Sequence, residues 1–207
     1  MNAICENSYY DICSCKKKYH LPLTLPLYDG HCHVDLFFKY GLNKNDFNMQ
    51  LAHAAELQIP VVLHGRGENS FLKIFNELKE HLKPNHNIHW HCVNPHSDLH
   101  IITNFLNYFE NGYIGLNGSI ILKHDKDLQK LFNKWLIDQP NIIDRIILET
   151  DYPFLRPPEL EPNQYNIITG TTITAQYIVN IFRSKHLNTT NLIDKSNNNI
   201  RKMYLID

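Results

Sequence analysis

At 207 residues, with 43% hydrophobic and 20% charged positions and a formal net charge of -1, the chain has the make-up of a globular domain long enough to bury a core. That balance argues against a disordered chain or one built around a broad basic face, so any basic groove for nucleic acid must be local. A run of about 18 apolar residues, which a transmembrane helix needs, is absent, and the N-terminus lacks a signal-peptide core. Five cysteines, an odd number, argue against a disulfide framework and for an intracellular address, cytoplasmic or nuclear.

Residues 1–22 read as a polar N-terminal extension with the basic knot Lys16-Lys17-Lys18, and 23–207 as one βα domain. Cys5, Cys13 and Cys15 lack the paired spacing of a zinc site. The apolar positions Leu23, Leu25 and Leu27 lead a first strand into Tyr28-Asp29-Gly30-His31-Cys32-His33-Val34-Asp35. Side chains alternate along a strand, so His31 and His33 share a face and can offer two imidazoles to one ion.

Asp46 reads as an N-cap, and Phe47, Leu51, Ala54 and Ala55 recur at helical spacing to about Gln58. Pro60 to His64 is a buried strand. The unit then repeats. Phe71, Ile74, Phe75, Leu78 and Leu82 predict a helix, Ile88 to Val93 a strand, and Leu99, Ile102, Leu106 and Phe109 a helix. Tyr113 to Leu116 is a strand, Leu128 to Trp135 a helix, and Arg145 to Asp151 the last strand. Pro153, Pro157, Pro158 and Pro162 enforce a long loop. A closing helix starts near Ile173 and a short one ends near Tyr204.

Strands alternating with helices predict an α/β fold with a parallel sheet. About five strands are countable, whereas a closed barrel of this kind has eight. His64, His91 and Asp151 each sit at or just past the end of an apolar run, where such sheets carry their chemistry. Thirteen histidines are more than a site needs. His53, His81, His86, His96, His100, His124 and His186 read as polar-face or loop residues. Trp90, opposite His91 in alternation, reads as core, Cys32 and Cys92 as small buried residues, and Asp29 and Asp35 as groups orienting the histidines.

Taken together, these motifs resemble the TatD family of metal-dependent deoxyribonucleases. The residues that carry the likeness are the His31-Cys32-His33 segment, Gln50-Leu51-Ala52 leading to Pro60-Val61-Val62-Leu63-His64-Gly65-Arg66, and His89-Trp90-His91-Cys92-Val93. Gly115-Leu116-Asn117-Gly118 and Leu148-Glu149-Thr150-Asp151-Tyr152-Pro153-Phe154-Leu155 complete it. The resemblance implies a TIM-barrel-like metal-dependent hydrolase that cleaves phosphodiester bonds in DNA, single strands or 3'-ends included. By the same resemblance His31, His33 and Asp151 ligate one divalent ion, with Mg²⁺ placed before Mn²⁺ and Zn²⁺. His64 and His91 ligate a second, Arg66 meets phosphate at the site mouth, and Asp151 orients or deprotonates water.

One departure stands out. Family members carry a Gly-Glu-x-Gly-Leu-Asp segment between the His-x-His and the His-x-Arg, and its Glu bridges two ions. Only about thirty residues separate His33 from His64, too few for the intervening βα units of a full barrel. The expectation is an incomplete parallel βα barrel or open curved sheet. Its edges and apolar inner face would be left for water, a second copy or a partner to cover. Two other functions fit the same ligand types: an amidohydrolase acting on C–N or C–O bonds, and an inactive remnant that works by binding.

Overall fold

The computed structural model describes residues 31–33, 44–65, 70–122, 125–183 and 187–206. The 1–22 extension, the Leu23–Leu27 run, Asp29, Asp35, Arg66, His124 and His186 lie outside the described residues. Among the described residues, five parallel strands form one sheet in sequence order: β1 (His31–His33), β2 (Val61–His64), β3 (Ile88–His91), β4 (Gly112–Leu116) and β5 (Ile146–Leu148). Between them run α1 (Lys44–Leu57), α2 (Ser70–His81), α3 (Leu99–Tyr108) and α4 (Lys126–Asp138). After β5 come α5 (Ile167–Phe182) and α6 (Thr189–Tyr204). β1 pairs directly with β2, His31 opposite Val62 and His33 opposite His64. The α/β class and the incomplete barrel expected from the strand count are what the chain adopts.

Period-2 alternation sorts the strand residues onto two faces. Leu63, Ile88, Trp90, Ile114, Leu116, Ile146 and Leu148 enter the main core. There they meet the buried stripe of α2 (Phe71, Ile74, Phe75, Leu78) and that of α3 (Ile101, Ile102, Phe105). Trp90 stacks on Phe71 at 5.4 Å, as its alternation from His91 requires.

Helix starts follow from local chemistry. Asp98 caps α3 by accepting from the Ile101 N–H, and Asp125 caps α4 by accepting from Asp127 and Leu128. α1 begins at Lys44, so Asp46 sits inside its first turn rather than at the N-cap. α5 starts at Ile167, ahead of the expected Ile173. Its opening is rich in β-branched residues, which hide a helix from propensity, but Asn166 and Thr169 form a reciprocal capping box that starts it.

α6 is the main surprise. It is 16 residues long rather than short. Its buried positions are Leu192, Ser196, Asn199 and Met203, a helical stripe half of whose members are polar, so a hydrophobicity count misses it. Met203, Ile200 and Tyr204 pack on Val62, Tyr113 and Ile147 of the inner face. The apolar inner face expected to meet water or a partner is therefore covered, over this part, by the chain's own helix.

The same helix deals with the free side of β5. The Leu148 N–H donates to Ser196 Oγ at 2.8 Å. Asn199 Nδ2 donates to the carbonyls of Ile146 at 2.8 Å and Ile143 at 3.1 Å. Asn87, just before β3, holds the helix end by donating to the carbonyls of Lys202 and Met203, each at 2.9 Å. Backbone groups that would otherwise template a further strand are satisfied by side chains. On this side, the expectation of an open edge awaiting a partner is corrected.

Candidate metal centre

β1, β2 and β3 end at His33, His64 and His91, and these three occupy consecutive register positions across the sheet. β5 ends at Leu148 and is followed by Glu149, Thr150 and Asp151, while Asn117 follows β4. Nothing beyond strand and register is described for His31 and His33, and Arg66 follows β2 outside the described residues. His91 neighbours both His64 and Asp151. His91 Nε2 lies 3.6 Å from Asp151 Oδ2, and the His64 ring centre is 4.9 Å from that of His91, edge to face. His64 and His91 are buried.

Glu149 lies behind His91. Its Oε2 accepts from His91 Nδ1 at 2.7 Å and lies 3.2 Å from His89 Nε2. Its Oε1 accepts from the Cys92 backbone N–H at 2.8 Å and from Asn117 Nδ2 at 3.0 Å. Asn117 is fixed in turn, since its Oδ1 accepts from the Ser119 N–H at 3.0 Å. His89 Nδ1 meets the Tyr204 hydroxyl of α6 at 3.0 Å. Room for this cluster exists because position 115 has no side chain. A Cβ there would come within 2.5 Å of both His89 Nε2 and the Glu149 carboxyl carbon.

Backbone conformation is also specialised. Cys92 (φ 58°) and Asp151 (φ 56°) are left-handed without being glycine. Such positions cost energy; Gln58, Asn141, Leu155, Arg183 and Leu205 share the conformation, the last two at helix C-caps.

Electrostatics couples the groups. Burial alone would lower the His91 pKa, but hydrogen bonds to Asp151 and Glu149 and the Glu149 charge outweigh it, leaving the imidazole at about 10. Burial alone would raise the Glu149 carboxyl, but hydrogen bonds and charge from His89 and His91 hold it well below the usual carboxylate range. Burial and the Glu149 charge push the Tyr204 phenol up to about 12.

A raised folded-state pKa stabilises the fold while the proton is on. The His91 contribution is therefore complete below its ordinary value of 6.5 and is lost as pH rises through about 10. The melting temperature of the ion-free chain should decline across that window. A divalent ion must displace the same proton, so its apparent affinity should rise over the same range. Parallel melts and titrations at stepped pH read both; flat profiles would contradict the coupling.

The residues fit an ion. Two donors bound tetrahedrally at about 2.1 Å lie about 3.4 Å apart, close to the 3.6 Å between His91 Nε2 and Asp151 Oδ2. His89, Glu149, Asn117 and Tyr204 are the residues that sequence reasoning missed. Parity could have found two of them, because His89 shares a face with His91, and Glu149 follows Ile147 of the inner face by two. Tyr204 arrives from the far end of the chain and leaves no such signal. His86 is a correction of another kind. It lies in the loop before β3, as expected, yet is buried: its Nε2 meets the Ile59 carbonyl at 2.8 Å, and burial lowers its pKa.

A parallel βα sheet that gathers imidazoles and carboxylates at the C-terminal ends of its strands defines the class of barrel-type metal-dependent hydrolases. Residues 39–205 match the family described as TatD related DNase, and the chain belongs to that family. Among solved structures it is similar to an uncharacterized amidohydrolase from Saccharomyces cerevisiae, with a TM-score of 0.61 and 15% identity, over 95% of this chain and 69% of that one. That likeness carries the fold. No curated protein matches the chain. Among the described residues, no helix is long and apolar enough to cross a membrane.

Proposed function

We propose that the chain hydrolyses phosphodiester bonds in DNA. The observation that carries this reading is the approach of His91 Nε2 to Asp151 Oδ2 at the strand ends of a TatD-related chain. His64, His91 and Asp151, with His31 and His33 from the adjoining strand end, would hold the ion. A bound divalent cation supplies Lewis acidity and offsets charge building on the phosphodiester oxygens. Asp151 Oδ2 orients the attacking water and takes its proton. Arg66, directly after Gly65, binds the phosphate.

Imidazole-rich donors with one carboxylate suit Zn²⁺ or Mn²⁺ better than Mg²⁺, and the lack of a bridging Glu favours one tightly held ion over two. Tyr152 and Phe154, 52% and 71% exposed beside Asp151, support a single-stranded substrate, because bases stack on accessible aromatic rings.

The test is electrophoresis of labelled single- and double-stranded DNA with Zn²⁺, Mn²⁺, Mg²⁺ or EDTA. Cleavage should require the ion, favour single strands, and fall by at least about 100-fold in Asp151→Ala, in line with loss of a positioned acid–base group. No ion-dependent cleavage of either substrate would end the nuclease reading. Hydrolysis of amide or ester substrates in its place would select the amidohydrolase alternative.

A further inference from the structure

His89, His91 and Glu149 bring their donor atoms within 4.8 Å of one another, so by proximity alone they could pass for an ion site. Their hydrogen bonds argue otherwise. Glu149 meets four nitrogens: the Cys92 N–H and Asn117 Nδ2 at one oxygen, His91 Nδ1 and His89 Nε2 at the other. A carboxylate has about four lone-pair sites; three of them accept hydrogen bonds inside the protein, and Oε2 also lies 3.2 Å from His89 Nε2, a charge contact without a hydrogen bond. His89 is enclosed likewise, between Glu149 and the Tyr204 hydroxyl. His91 differs, because only its Nδ1 faces Glu149 while its Nε2 faces Asp151.

We infer that Glu149 is a positioning residue that binds no ion: it holds His91 by Nδ1–H and so presents Nε2, beside Asp151, as the ligand atom. Asn117 and the Cys92 N–H fix one carboxylate oxygen by hydrogen bonds, and His89, held by Tyr204, lies against the other at 3.2 Å. Histidines that ligate metals commonly donate their second nitrogen to such a carboxylate, and losing that partner weakens the metal about 10–100-fold. Glutamine at 149 keeps the shape but can offer His91 an amide N–H, which favours the wrong tautomer.

This rests on the ion-dependent reading above, and the experiment separates the two. Zn²⁺ affinity is measured by calorimetry for the unmodified chain, Glu149→Gln, His91→Ala and the double variant. Zn²⁺-loaded chain labelled with ¹⁵N-histidine reports which nitrogen of His91 is bound. The expected results are about 10–100-fold weaker binding in Glu149→Gln, no further loss when it is added to His91→Ala, and coordination through Nε2 with a proton on Nδ1. Losses that add in the double variant would make Glu149 a ligand, and coordination through Nδ1 would reverse the assigned orientation; either overturns the inference and leaves the ion-dependent reading standing. Absence of Zn²⁺ binding in the unmodified chain would remove both. Asn117→Ala provides a check that leaves both suspected ligands in place. It should weaken Zn²⁺ several-fold, and unchanged affinity there would count against the positioning role.

Discussion

Replacing Gly115 with alanine should disrupt the Glu149–His89–His91 cluster and cost more than any other single methyl group added to the sheet. The new Cβ would overlap Glu149 Oε2 and lie 2.5 Å from both the Glu149 carboxyl carbon and His89 Nε2. Neither neighbour can retreat easily. Glu149 is tied to Cys92, Asn117 and His91, and His89 is backed by Tyr204. Overpacking of an apolar core costs about 1–3 kcal/mol. Here the displaced groups are a buried carboxylate and its imidazole partners, so the loss moves toward the 3–5 kcal/mol typical of broken buried ion pairs. For a chain of this size that lowers the melting temperature by about 10 °C, and Zn²⁺ binding should weaken with it because His91 loses its support. A variant that melts within about 2 °C of the parent, a shift worth less than 1 kcal/mol, and binds Zn²⁺ equally well would show the cluster to be far looser than its distances imply.

The second large effect should come from Asn199→Leu. The side chain is buried and its amide serves the carbonyls of both Ile143 and Ile146. Leucine fills similar space but donates nothing, leaving two carbonyls without the donor that replaced a neighbouring strand. At about 1–3 kcal/mol per unsatisfied buried group, the loss is about 2–6 kcal/mol. Hydrogen exchange should then accelerate together in β5 and α6, since they are joined through this residue. Ser196→Ala, which removes one acceptor from Leu148, should show the same pattern at about a third of the size. Exchange unchanged in β5 would mean that the edge is protected by something other than α6.

Much of this architecture was legible in the chain because its signals are local. The runs ending at His64 and His91 are short, apolar and followed by helical spacing, so strand, parity and placement at the strand end could be read together. Asp151 was legible for the same reason. What escaped depended on distance. Ser196 and Asn199 look like polar surface positions until β5 is placed beside them, and His86 looks like a loop histidine until Ile59 supplies its carbonyl. Glu149 stood in plain view in the Glu-Thr-Asp run, but its role depends on four partners drawn from β3 and the segments just beyond β3 and β4. Sequence spacing shows which residues share a face; it does not show where a lone pair is already engaged.

The contact between Tyr204 and His89 has a consequence for the order in which the molecule is built. A ribosome releases the five strands and their helices before α6 emerges. Until then β5 lacks the side chains that serve Leu148 and Ile146, and the brace on His89 does not exist. Such long-separated contacts form late and slow folding, because the loop they close must be ordered first. The nascent sheet therefore passes through an interval with an adhesive edge and an unfinished centre, when a chaperone is most useful to it. Both are completed by the same helix.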